Sequence, residues 1–303
     1  ENLEEEIKAD SIRSYGISSN TFGQQSFHRH FTSLEEILKI SPAGKNDAGV
    51  SVIQLPLNLT EKDGLTLVNQ AENGKSVIKL AAKHELGVVI NRPLNAIVNN
   101  RIERLTDFSM DGSYNIKDLQ SCFRNVDTLA ENIYHEVKRL TRTGYDKYLD
   151  LKDSFGMAKF LMKNFDDLDN PVSLNDLIEF YINPRVRIIK STVIENESMP
   201  PIVAELAQNF LSEMRKFLHI LNTIVIAKYN MNNMKLHGML NNYLPQNLRG
   251  ISLGSKALVM TASLPYVSSV LVGMRQPAYV DEVVSISDEI PIPEPEAFWF
   301  MER

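Results

Sequence analysis

The sequence predicts an α/β fold with parallel strands, interrupted by a long helical insertion. Three observations carry this. Short apolar runs at residues 12–18, 50–57, 86–90 and 267–272 each end in polar residues. The first three recur roughly every 30 to 40 residues with amphipathic stretches between them, the spacing of successive strand-plus-helix units. From about residue 97 to 248 the strand pattern lapses, and apolar residues recur at i, i+3, i+4 instead.

The elements follow in order. Residues 3–9 end a helix that feeds the first strand. The turn at 16–20 then leads to Ser33-Leu-Glu-Glu36, a capping box with apolar residues behind it. A loop at 41–49, rich in Gly, Pro, Asn and Asp, closes that helix and precedes the second strand. A helix over 75–84 delivers the chain to the third. Helices are then expected over 119–140, 147–164, 174–181 and 201–229, inside an insertion of roughly 150 residues that far exceeds an ordinary connection. The βα pattern resumes at Gly250 with a helix over 255–262, the strand 267–272 and a helix from Pro277 to about Ile286. The chain thus divides into strand units at 1–96, a helical insertion at 97–248, a last strand–helix unit at 249–288 and a tail at 289–303. The tail, Pro291-Ile-Pro-Glu-Pro-Glu296 followed by Phe298-Trp-Phe300, reads as extended polyproline-like chain. Its aromatics either dock on a partner or fold back on the chain's own core.

Composition limits the function classes. At 303 residues with 43% apolar content the chain can bury one or two cores, and a net charge of −6 with mixed signs argues against a phosphate-neutralising nucleic-acid surface. The nearest basic cluster, Arg101-Ile-Glu-Arg104, is interrupted by acid. One cysteine, Cys122, cannot form an intramolecular disulfide and reads as a structural thiol. This points to an intracellular, reducing compartment or organelle matrix. The most apolar stretch, 217–227, is too short to span a membrane and carries His219 and Asn222. The start Glu-Asn-Leu-Glu-Glu-Glu reads as internal, with any targeting sequence upstream.

The local wording goes further. Ser11-Ile-Arg-Ser-Tyr-Gly-Ile-Ser-Ser-Asn20, Val52-Ile-Gln-Leu-Pro-Leu-Asn58, Gly87-Val-Val-Ile-Asn-Arg-Pro-Leu-Asn95 and Val267-Ser-Ser-Val-Leu-Val-Gly-Met-Arg275 resemble strands five to eight of the aldo-keto reductases, in that order. The resemblance implies a partial (β/α)8 TIM barrel with an inserted α-helical subdomain. The missing half would come from an upstream segment or from a second chain completing the barrel. Because the insertion leaves directly after a strand, it should stand over or beside the ligand mouth.

The resemblance also implies a nicotinamide cofactor, NADP or NAD. Ser18 or Ser19 with Asn20 and Gln54 would then hold the carboxamide of the nicotinamide ring, although Ser-Ser-Asn after a strand is also ordinary turn and capping chemistry. Asn91 stands where the family often has a stacking aromatic, and offers no π face. Arg92 beside it either reaches a pyrophosphate or forms an ion pair at the barrel rim. Gly273 and Arg275, just before Pro277 opens a helix, form a candidate anion site where the family binds the adenosine phosphate. The catalytic tyrosine, lysine, aspartate and histidine belong to the first four strands, and no segment here matches them. Tyr145, Lys147 and Tyr148 lie in helical context inside the insertion and read as surface or packing residues.

Other constellations fail. His28 and His30 are two residues apart, a poor metal pair on a helix. Asp166-Asp-Leu-Asp169 lacks the glycine and glutamate of a calcium loop. Two functions survive: an aldo-keto-reductase-like oxidoreductase module that interconverts carbonyl and alcohol only when its other half is supplied, or a degenerate, non-catalytic barrel serving a larger protein assembly.

Overall fold

The computed structural model describes residues 2–41, 49–70, 74–98, 101–141 and 151–301. Most of the expected loop 41–49, and Tyr145, Lys147 and Tyr148, lie outside the described residues. The elements run α1 (Asn2–Lys8), β1 (Tyr15–Ser18), α2 (Leu34–Ile40), β2 (Val50–Pro56), α3 (Asp63–Thr66), α4 (Val77–Lys83), β3 (Gly87–Asn91), β4 (Asn95–Val98) and β5 (Arg101–Arg104). A helical stretch follows: α5 (Ile116–Thr141), α6 (Leu151–Phe155), α7 (Met157–Lys163), α8 (Pro171–Leu177), α9 (Asn183–Ile189) and α10 (Pro201–Asn241). Then come α11 (Leu253–Ala262), β6 (Ser269–Val270) and α12 (Pro277–Ser285).

The chain forms two compact units. The first comprises Glu1–Asp107 with Asn233–Arg303, the second Phe108–Asn232, and each has its own apolar core. The helical unit is therefore narrower than the 97–248 span read from sequence. The reason is the antiparallel hairpin β4–β5, unforeseen in the sequence, together with buried Leu105, Leu240, Leu244 and Leu248, which join the core of the first unit.

In the first unit β1, β2, β3 and β6 form one parallel sheet in sequential order, aligned Ser18–Gln54–Val89 and Leu55–Ile90–Val270. This is the mixed α/β architecture with parallel strands that the βα spacing predicts. The sheet is open: no barrel closure occurs among the described residues. Gly16 is required by close approach, because a Cβ there would stand 2.6 Å from the Val52 carbonyl oxygen. Ile53, Leu55, Val88 and Ile90 on one face are fully buried with Leu34, Ile78, Leu80 and Val259 from α2, α4 and α11.

Local signals explain the helix starts. Ser33 accepts the Glu36 N–H at 3.2 Å as α2's cap, but the Glu36 carboxylate turns to Lys39, so only half the capping box forms. The remaining α2 donors, Leu34 N–H and Glu35 N–H, go to the buried Gln70 side chain at 3.0 and 3.1 Å. Ser252 caps α11, and Asn170 with Pro171 opens α8.

The tail is not a free extended segment. Phe298 and Trp299 are each 1% exposed within the first core, the Lys62 ammonium donates to the Phe298 carbonyl at 3.1 Å, and Tyr243 meets the Phe298 ring edge-on. Folding back buries the apolar area of Phe298 and Trp299, so of the three aromatics only Phe300, 47% exposed, remains outside.

The second unit is helical throughout. The helix from Pro171 continues past the expected end at Tyr181 through a π-helical turn (Ile178–Ile182), α9 and a second π-turn (Lys190–Ile194). Cys122 is buried there; burial pushes its thiol pKa up, leaving it the structural role read from sequence. No helix of the described residues is long and apolar enough to cross a membrane, and those residues contain no His/Cys/Asp/Glu group fit to hold a metal.

Candidate functional site

The parallel strands bring several of the sequence-derived candidates to one edge of the sheet, where β1, β2 and β3 end. Ser18 is the last residue of β1 and is exposed. Gln54, half-buried, is aligned beside it on β2, so both side chains project from the face opposite Ile53 and Leu55. Ser19 takes no part on that face. Its hydroxyl lies 2.9 Å from the Thr21 hydroxyl and 2.7 Å from that of Thr32, and it accepts the Thr21 N–H. This is turn chemistry.

Asn91 ends β3 and donates its side-chain N–H to the Asn20 side-chain oxygen at 3.4 Å. Beside it Arg92 adopts a left-handed backbone (φ 52°), unusual for a residue with a Cβ, and its guanidinium meets Glu61 at 2.9 Å. Glu61 is itself held by the side chain of Asn58 at 2.7 Å and by the Ile97 N–H at 3.2 Å. Asn58, fully buried, also donates to the Arg92 carbonyl at 3.2 Å. Thus the loops after β2 and β3 are stitched into one polar cluster. Two atoms there, Asn91 Oδ1 and Arg92 Nε, are buried with no hydrogen-bond partner. Such atoms are costly unless something else satisfies them.

Arg92, Gly273 and Arg275 line one cavity of about 560 Å³, joined by Arg104 of β5 and by Gln276, Tyr279 and Glu282 around the start of α12. Ser18, Ser19, Asn20, Gln54 and Asn91 are not among its lining residues. The cavity lies within the size range of ligand sites. Gln276 at the α12 N-cap makes no side-chain capping bond, and it lines the cavity beside the arginines, as does Tyr279 of the first turn. The single carboxylate of the lining among the described residues, Glu282, is held by hydroxyls: Ser255 donates to it at 2.8 Å and Ser252 also bonds it. Neither serine neutralises its charge. The arrangement suits a ligand carrying more than one anionic oxygen and a polar group for Glu282.

Four residues of this unit have a place that sequence reading did not assign. Arg104 belongs to a hairpin whose signal was present, two four-residue runs separated by Asn99-Asn100. Glu61 and Glu282 carry no local motif and become meaningful only through long-range contacts. A third cluster surrounds Lys256, 1% exposed in the middle of α11. Its ammonium donates to His237 Nδ1 and to the Asn241 side-chain oxygen, both at 2.8 Å. His237 Nε2 stands 3.1 Å from both oxygens of Asp107, which also accepts the Leu253 N–H. Burial lowers the Lys256 pKa below the ordinary lysine value, and the nearby Asp107 charge only partly opposes this.

No protein-family model, no curated protein and no solved structure matches this chain.

Proposed function

We propose that the first unit is a nucleotide-binding half-barrel: the later half of an aldo-keto-reductase-like barrel, accepting NADP or NAD when its first half is supplied. The observation that carries this is the gathering of Arg92, Gly273 and Arg275, with Arg104, around one cavity at the start of α12. Phosphate oxygens fit that donor set, and the backbone at Gly273 leaves open space for close approach. Arg275 and the α12 start would hold the adenosine phosphate. Asn20, Asn91 and Gln54 would face the nicotinamide end, where Asn91 Oδ1 is a buried acceptor in need of a donor. The cofactor would supply hydride transfer; this chain's residues would bind and orient it, because none of the family's catalytic acid, lysine, aspartate or histidine has a counterpart here. An upstream segment or a second chain would cover the open sheet face and pair with the exposed edges of β1 and β6.

The test is calorimetric titration of the chain with 2′,5′-ADP and NADP⁺. Saturable binding, weakened tenfold or more by Arg275→Ala and unaccompanied by carbonyl turnover, is expected. Absence of saturation at millimolar nucleotide, or equal affinity in the variant, refutes the reading.

A second reading has its own support. Arg92 is already satisfied in part by Glu61, and Asn91 offers no ring to stack on nicotinamide. These two facts favour a non-catalytic barrel retained as a subunit of a larger assembly. In that case nucleotide fails to bind, while a completing chain still protects the open sheet face.

A further inference from the structure

The helical unit contains a cavity of its own, about 580 Å³, bordered by α5, α6, α7 and the helix running from Pro171. Its walls are aromatic: Tyr134, Phe155, Phe160 and Tyr181. Phe160 and Tyr181 lie nearly stacked, with centroids 4.4 Å apart and planes inclined by 30°. Tyr181 sits in the π-helical turn Ile178–Ile182, a distortion that recurs at functional sites. On its ring lies the guanidinium of Arg185, 3.5 Å from the centroid, donating Nη1–H to the Tyr181 carbonyl at 3.0 Å.

The charges around this cavity differ in how far they are spent. Asp127 and Glu131 share Lys159, at 2.9 and 3.5 Å. Lys152 and Asp153 stand side by side at the exposed rim, with the Lys152 ammonium 5.8 Å from the Tyr134 ring. Arg185 and Lys152 have no carboxylate within ion-pair distance among the described residues, but only Arg185 has a buried donor, its Nε–H, without an acceptor. Each tyrosine already has a cation of the protein near one face, Arg185 close on Tyr181 and Lys152 more distant from Tyr134. What the described lining leaves open is an acceptor for Arg185 beside an apolar body, since Asp127 and Glu131 are engaged by Lys159 and Asp153 stands at the exposed rim.

We propose that this cavity binds a small amphipathic carboxylate, its ring or short chain lying among Phe155, Phe160 and Tyr134 and its carboxylate meeting Arg185. A guanidinium pre-stacked on a tyrosine loses little freedom on meeting a planar carboxylate. The site is independent of the nucleotide reading, since every residue in it belongs to the helical unit.

The experiment titrates the whole chain with 3-phenylpropionate, and in parallel with phenethylamine and 3-phenylpropanol as cationic and neutral counterparts, followed by calorimetry and tyrosine fluorescence. Saturable 1:1 binding of the carboxylate is expected, at least tenfold tighter than the alcohol, with no saturation by the amine. Arg185→Gln should weaken the carboxylate tenfold or more and leave the alcohol unchanged. Lys152→Gln, at an exposed position, should weaken it two- to threefold and carries the test if the Arg185 variant does not fold. Equal binding of acid and amine, no saturation by the acid, or an Arg185→Gln or Lys152→Gln affinity equal to that of the parent chain would overturn the proposal.

Discussion

The two faces of the four-stranded sheet could hardly differ more. On β2 alone the residues alternate between complete burial at Ile53 and Leu55 and partial exposure at Gln54 and Pro56. The same alternation aligns across β3, where Val88 and Ile90 are buried while Gly87, Val89 and Asn91 are not. At the edges Gly16, Ser18 and Ser269 on the second face are exposed. Parallel sheets are ordinarily covered on both faces, because βα crossovers place helices there. Here one face has a helical layer and a packed core, and no described residue of the other is buried. The covered face holds the unit together; the open face and the strand ends beside it carry the polar groups from which a function can be built.

The largest effect should come from the side of the covered core closed by the tail. Trp299→Ala should destabilise the chain by about 3–5 kcal/mol, the usual cost of removing a buried large aromatic, and lower the thermal midpoint accordingly. If the tail were instead a docking segment, the substitution would remove a partner and leave the midpoint unchanged.

The legible parts of this molecule were those written locally. The βα repeat, the Ser33 cap and the start of α12 at Pro277 are each set by residues within a few positions of one another. The parallel order of the strands followed from their spacing. The tail was ambiguous for a physical reason: Pro291, Pro293 and Pro295 favour extended chain, whereas burial of Phe298 and Trp299 depends on Tyr243 and Lys62, far away in sequence. The site divided in the same way. Arg92, Gly273 and Arg275 stood out by their positions after strands, but Glu61, Arg104 and Glu282 acquire their roles only once the chain has folded. Ser19 shows the converse, since its hydroxyl is engaged by Thr21 and by Thr32, thirteen residues away.

Lys256 sharpens the comparison from within the covered side, because α11 buries an amine whose partners, His237 and Asn241, lie on α10. Lys256→Met keeps the apolar length but leaves His237 Nδ1 and the Asn241 oxygen without their donor. The expected cost is about 1–3 kcal/mol at neutral pH, the penalty for buried polar groups left unmatched. The pH dependence carries a definite sign. The folded pKa of Lys256 lies below that of the unfolded chain, about 10.4. Between the two values the unfolded chain binds more protons, so this group's contribution to stability rises with pH from the folded value to the unfolded one and is flat below the folded value. Urea denaturation at several alkaline pH values should show that rise in the parent chain and its absence in the methionine variant. A parallel response in both chains would remove Lys256 as its source.

The smallest effect belongs to the open face, and it tests the comparison most directly. Gln54→Ala and Ser18→Ala remove side chains that project from the uncovered side, where no apolar layer is lost and no cavity forms. Each should change stability by no more than about 0.5 kcal/mol. Leu55→Ala, one position along the same strand, should cost about 2–5 kcal/mol by opening a cavity in the covered core. The contrast between adjacent residues separates the two faces without disturbing strand propensity, since alanine replaces both. A cost above about 2 kcal/mol at Gln54 would mean that a second layer covers this face in solution, and the protein would then carry its own barrel-completing partner. In that event the measurement repeated over a hundredfold range of chain concentration distinguishes a second copy, whose contribution grows with concentration, from a segment of the same chain, whose contribution does not.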